Sequence, residues 1–202
     1  TVALIQREML LFAGVWFLIG FVDELAIDLL WIEAKLRGRL AAEPASSLIQ
    51  LERRIAVFIP AWREAAVIGF TLDRALAVWP ADGLRIYLGC YRNDPATMAA
   101  AMAAGGNDSR LRIVVLDRDG PSSKADCLNR LWLAMARDEA RDDRLFEAVL
   151  LHDAEDVVHS EALAALSAAL GKADFLHLPV DPLLDPASRW IAAHYADEFA
   201  EA

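Results

Sequence analysis

Three carboxylates fall within four residues in the run His152-Asp153-Ala154-Glu155-Asp156, which closes the apolar stretch Ala148-Val-Leu-Leu151. Carboxylates this close repel one another unless a cation or hydrogen-bond donors intervene. A divalent cation answers that repulsion. Oxygen ligands beside a diphosphate suit Mg²⁺ or Mn²⁺, and such an ion neutralises an anionic leaving group during transfer. The bland alternative is a solvated turn whose aspartate caps the following helix.

A second run, Gly120-Pro-Ser-Ser-Lys124, precedes a predicted helix start. Free backbone N–H groups and serine hydroxyls there accept an anion, and Lys124 adds a point charge. Taken alone, Lys124 is an ordinary lysine at a helix start. The P-loop spacing G-x-x-x-x-G-K-[ST] is absent, so a kinase or NTPase reading fails on its own motif. Two further polar runs complete the set: Pro60-Ala61-Trp62-Arg63-Glu64 and Tyr91-Arg92-Asn93-Asp94-Pro95.

All four runs follow apolar stretches that read as strands. The pattern gives strand 55–59, helix 64–79, strand 85–90, helix 95–104, strand 111–116, helix 123–137 and strand 146–151. Helix 160–170, strand 175–179 and a helix from about residue 186 follow. Alternation of this kind implies an α/β fold with parallel strands joined by right-handed crossovers, and ligands at the carboxyl ends of the strands.

Composition narrows the partners. The 202 residues carry a net charge of −10, with 56% hydrophobic and 25% charged residues. Nucleic-acid binders gain most of their affinity from basic patches, so DNA and RNA are excluded as partners. An acidic chain that binds an anionic nucleotide needs a metal ion or backbone donors at helix starts. Cys90 and Cys127 lack the spacing of a zinc site or a disulfide framework, which fits a reducing compartment.

Residues 9–22 (MLLFAGVWFLIGFV) carry no charge, and Asp23, Glu24 and Asp28 then interrupt a further apolar stretch. A span needs about 20 apolar residues, so the uncharged part alone is short. A transmembrane or re-entrant helix competes with an amphipathic helix lying on a membrane or partner. Lys35, Arg37, Arg39, Arg53 and Arg54 follow the apolar run, and positive charge stays cytoplasmic. The expected organisation is a membrane-associated helix with a basic flank over 1–40, a linker over 41–52 and an α/β unit over 53–202.

The loop elements resemble those of inverting family 2 glycosyltransferases with the GT-A fold, a Rossmann-like, mostly parallel sheet with flanking helices. The P-x-x-x-E start implies that Glu64 and the backbone near Ala61 lie against the nucleotide base and ribose. Ser123-Lys-Ala-Asp-Cys-Leu-Asn129 is similar to the family's G-K-A-x-A-L-N element, with Ser123 where the family has glycine. The resemblance places Lys124 and Asp126 near the nucleotide, with Asn129 supporting the loop. Asp94 belongs to the same donor-binding set, although Tyr91 and Arg92 replace the family's paired aspartates. The acidic run looks like the family's D-x-D: Asp153 toward the donor's ribose or sugar, Glu155 in the metal place, and Asp156 as the alternative ligand.

The resemblance implies a UDP-sugar donor, Mg²⁺ or Mn²⁺, and direct displacement with inversion onto a polysaccharide or lipid-linked acceptor of the cell envelope, an exopolysaccharide among them. The expected location is a bacterial inner membrane, with the enzyme unit in the cytoplasm. Beyond the acidic run the family's E-D and Q-x-x-R-W elements do not occur before Ala202, so the base is expected beyond it and this stretch is expected to be inactive alone. Asp197 and Glu198 read as acids of an amphipathic helix. His152 is the one histidine close enough to bear on the acidic run. The rival is a non-catalytic nucleotide-binding or scaffold module of an inner-membrane export or phage-receptor complex.

Overall fold

The computed structural model describes residues 2–37, 53–80, 82–170, 172–178 and 187–188. An α/β unit lies within Ala45–Leu178, and the N-terminal helix falls in a second compact unit. That helix, α1 (Val2–Leu36), runs unbroken for 35 residues and buries none of them. At about 1.5 Å per residue it is roughly 52 Å long. Its mean hydropathy of 2.0 over the best 18-residue window makes it long and apolar enough to cross a membrane. Near its C-terminal end Lys35 lies 4.4 Å from the Trp31 ring and Arg37 pairs with Glu33 at 2.6 Å.

In the α/β unit, β1 (Ile55–Pro60), β2 (Leu84–Tyr91), β3 (Leu111–Leu116) and β4 (Ala148–Leu151) pair in parallel in the order β3-β2-β1-β4. Strand β1 is buried on both faces, as expected of an apolar run at the centre of a parallel sheet. Its alternate residues serve different layers. Ile55, Val57 and Ile59 pack with Ile68, Leu72, Ala75, Leu163 and Leu166, whereas Ala56 and Phe58 pack with Tyr87, Leu131, Ala134 and Met135. The first layer is covered by α2 (Ile68–Val78), α3 (Pro95–Gly105) and α5 (Ala162–Ala169), the second by α4 (Lys124–Asp142). The chain leaves β1 for β2 on one side while β4 docks on the other, so the strand order reverses at β1 and opens a crevice at its carboxyl end.

Helix α4 also carries a charge into the interior. Cys127, Leu131, Ala134 and Met135 form its apolar stripe, and Asp138 continues it at 1% exposure. Tyr87 donates to Asp138 Oδ2 at 2.9 Å and Arg85 at 3.1 Å; Arg141 at 3.0 Å and Arg112 hold Oδ1. Burial alone would raise the Asp138 pKa, but the bonds from Arg112 and Tyr87 reverse that and hold it below the usual range. Arg85 and Arg112 lie near the starts of β2 and β3, so the cluster sits at the amino end of the sheet.

Several element bounds differ from those expected. Helix α2 begins at Ile68 rather than at 64, because Glu64 to Val67 form a turn in which the Val67 and Ile68 N–H groups donate to Glu64 O. Helix α4 runs on to Asp142, where Asp143 closes it in the left-handed conformation at φ 49°. Strand β4 and helix α5 are shorter than predicted. The predicted strand 175–179 is corrected: residues 175–178 form no strand. Leu176 and Leu178 still pack on the core while Phe175 is 84% exposed, so the alternation is real but pairs with no strand among the described residues. Residue 179 and the helix predicted from 186 lie outside the described residues, apart from 187 and 188.

Candidate functional site

The four polar runs meet at the carboxyl end of the sheet. After β1, Ala61 extends the ladder by one bond, its N–H donating to Gly89 O at 2.9 Å, and its side chain is buried. The chain then turns through Arg63 at φ 62°, a left-handed conformation unusual for a residue with a Cβ. Side chains from the next loop hold it there: Arg63 N–H donates to Asp94 Oδ2 at 2.6 Å and Glu64 N–H to Thr97 Oγ1 at 3.0 Å.

Asp94 is 6% exposed and also caps α3, accepting from Thr97 N–H at 3.3 Å. Burial pushes its pKa up, but the hydrogen bonds from Thr97 and Arg63 outweigh that and lower it. Both carboxylate oxygens thus serve the backbone. Asp94 shapes the loop that carries Glu64.

The β2 and β3 loops are clamped together. Asn93 Nδ2 donates to Gly120 O at 3.0 Å, and Gly120 N–H returns a bond to Asn93 Oδ1 at 2.8 Å. Trp62 and Tyr91 pack edge to face at 5.1 Å. A Cβ on Gly120 would sit 2.5 Å from Trp62 and 2.8 Å from Tyr91, so only glycine passes beneath the two rings. Tyr91 Oη and Ser122 Oγ lie 2.7 Å apart, and Ser122 Oγ donates to Asp126 Oδ2 at 3.0 Å. Ser123 Oγ accepts from Asp126 N–H at 3.1 Å and caps α4. Asp126 is therefore an internal brace of the turn. Arg92 pairs with Asp119 at 2.6 Å in solvent.

The acidic run is pinned from two sides. His152 N–H donates to Phe58 O at 3.0 Å, continuing the β4 pairing by one residue. Ala154 is buried, and its carbonyl accepts from Thr71 Oγ1 on α2 at 2.7 Å. Trp79 Nε1 donates to His159 O at 3.2 Å, and its ring meets the His152 ring edge-on at 6.0 Å. His152 Nδ1 lies 2.8 Å from Asp153 O. With Ala154 held inward, Asp153 and Glu155 emerge on either side of it.

Across the crevice, Lys124 Nζ on the first turn of α4 donates to Asp153 Oδ1. The Glu155 and Asp156 carboxylates hold no hydrogen bond or ion pair among the described residues. Burial raises the Glu64 pKa, and the charges of Glu155 and then Asp94 raise it further.

Among the described residues no three His, Cys, Asp or Glu side chains converge as a ready-made metal cage. Hard cations that travel with nucleotides do not need one, since one or two carboxylates and the phosphate oxygens complete their shell. The unpaired oxygen donors Glu155 and Asp156 fit such a shared site.

The motif residues were legible in the sequence, but their supports were not. Thr71 gave one signal, a hydroxyl on the buried face of α2 between Ile68 and Leu72. Asn93 and Trp62 gave none, because their partners lie in other loops.

The family model described as glycosyltransferase like family 2 matches residues 53–202. The chain is 30% identical over 196 residues to bacteriophage adsorption protein B of Escherichia coli (strain K12) and, equally, to bacteriophage N4 adsorption protein B of Escherichia coli O157:H7. These matches cover 94% of this chain but 26% of each relative, so the chain spans a minor part of their length. The mannosyltransferase PcManGT from Pyrobaculum calidifontis, in complex with GDP-Man and Mn²⁺, superposes with a TM-score of 0.51 at 19% identity. That likeness, over 83% of this chain and 46% of the other, is one of fold. The α/β unit has the GT-A fold, and the chain belongs to glycosyltransferase like family 2.

Proposed function

We propose that this chain supplies the donor site of a membrane-associated glycosyltransferase that takes a UDP-sugar with Mg²⁺ or Mn²⁺ and serves an inverting transfer to a cell-envelope acceptor, a polysaccharide or lipid-linked glycan. The observation that carries the reading is the meeting of Lys124 with Asp153: two loop elements 29 residues apart converge on one crevice at the strand ends.

Each residue then has a task. Ala61 and Glu64 border the base and ribose, held by Asp94 and Thr97 from behind. Lys124 and the α4 N-terminus offer positive charge and free N–H groups to the diphosphate. Asp153 faces the ribose or sugar. Glu155 stands in the metal place of the D-x-D-like run, with Asp156 beside it as the alternative ligand. A divalent ion bound there supplies charge neutralisation to the departing diphosphate. None of these groups is assigned as the acceptor's base. We place α1 in a bacterial inner membrane, with the following basic residues and the α/β unit on the cytoplasmic side.

A second reading, a nucleotide-binding scaffold without turnover in an envelope export or phage-adsorption assembly, is favoured by Tyr91. Where the resembling motif has an aspartate, this buried ring braces Ser122 instead. Calorimetry with UDP and GDP, with and without Mn²⁺, tests the donor site. Metal-dependent UDP binding is expected, weakened about tenfold or more in Glu155→Gln, which removes a charged ligand. A folded chain that binds neither nucleotide in the presence of metal overturns the reading. The scaffold gains if the full-length protein binds UDP and transfers from no nucleotide sugar.

A further inference from the structure

Lys124 is the only cation in hydrogen-bond or ion-pair contact with the acidic run among the described residues. Its partner cannot easily shift: Asp153 O is engaged by His152, and the neighbouring Ala154 is tied to Thr71. The lysine can. Its side chain is 57% exposed on a flexible four-carbon stem, against 49% exposure for Asp153.

The electrostatic consequence differs for two visitors. A bare divalent cation at Glu155 and Asp156 meets the ammonium beside the site and finds the neighbouring Asp153 charge already neutralised, so repulsion and the loss of a nearby negative charge both oppose it. A cation carried with a nucleoside diphosphate brings anionic oxygens that draw Lys124 away and free Asp153. Resting on the donor-site reading above, we propose that Lys124 is a counter-ion latch. It holds Asp153 so that the site rejects a free divalent cation, and it releases when metal and nucleoside diphosphate arrive together.

The test uses the 202-residue chain, titrated with Mn²⁺ alone and with Mn²⁺ plus UDP, with melting curves confirming that each variant folds. Lys124→Met is expected to bind Mn²⁺ alone about fivefold more tightly than the parent, the scale of one exposed ion pair, and Mn²⁺ plus UDP more weakly. Lys124→Arg, which keeps the charge, is expected to match the parent toward Mn²⁺ alone. Adding Asp153→Asn to Lys124→Met is expected to cancel the gain. Equal Mn²⁺ affinity in parent and Lys124→Met, with UDP binding intact in the parent, overturns the latch and leaves the donor site standing. Absence of metal-dependent UDP binding in the parent overturns both.

Discussion

Charge is held in opposite ways at the two ends of the sheet. At the amino end, Asp138 is enclosed by Tyr87, Arg85, Arg112 and Arg141, and every buried polar side-chain atom in the described structure has a partner. At the carboxyl end, Lys124 and Asp153 meet in solvent, Glu155 and Asp156 stand unpaired, and Glu64 is held at a raised pKa. The contrast teaches where the fold stores stability and where it leaves charge for a ligand to complete.

The largest test of that contrast is Asp138→Ala. Removing the one carboxylate leaves the Tyr87 hydroxyl without its acceptor and Arg112 without its carboxylate, whereas Arg85 and Arg141 keep Asp142, and a loss of about 3 kcal/mol is expected in urea unfolding. Gly120→Ala comes next. Its methyl must displace Trp62 or Tyr91, and a loss of about 1–3 kcal/mol is expected, with the β2 and β3 loops disturbed first. Thr71→Val removes the bond to Ala154 O and is expected to lose about 1 kcal/mol while weakening metal-dependent UDP binding, because the acidic run loses an anchor.

The smallest effect has the opposite sign. Glu64→Gln relieves the repulsion from Glu155 and Asp94, so a gain of a few tenths of a kcal/mol is expected at neutral pH. Because the folded pKa of Glu64 is raised, that gain shrinks as pH falls and vanishes below the unfolded glutamate value of about 4.3. Asp138 and Asp94 behave the other way. Their folded values are lowered, so the stability they give is present above the unfolded aspartate value of about 3.9 and lost as pH falls through the folded ones. Thermal melts across pH 2 to 7 separate Glu64 from the two aspartates.

The strand ends and their polar runs were legible because each apolar run is short, stops at a turn signal and alternates with a helical pattern. The pairing of Lys124 with Asp153 was not, since it depends on how α4 crosses the sheet. The start of α2 was misread for a similar reason. Its spacing is helical from residue 64, but Asp94 and Thr97 capture the N–H groups of Arg63 and Glu64 from more than 30 residues away and hold a turn there. Asp138 carries a readable sign: a carboxylate on an apolar helix face must find cations. For residues 175–178, correct alternation gave a wrong strand, because alternation reports a buried side and not a neighbouring ladder.

Strand β4 has a kinetic consequence. It has four residues, its Val149 and Leu151 are 36% and 57% exposed, and it pairs with β1 across more than 90 residues of chain. Contacts of such long sequence separation form late, and short edge strands open early. The acidic run hangs from this strand, so the local opening that frays β4 also disorders the proposed cation site while the β1–β2–β3 ladder persists. Amide hydrogen exchange at His152, whose N–H is bonded to Phe58 O, is therefore expected to report occupancy: a bound ligand slows it by mass action, and the exchange of β2 does not change.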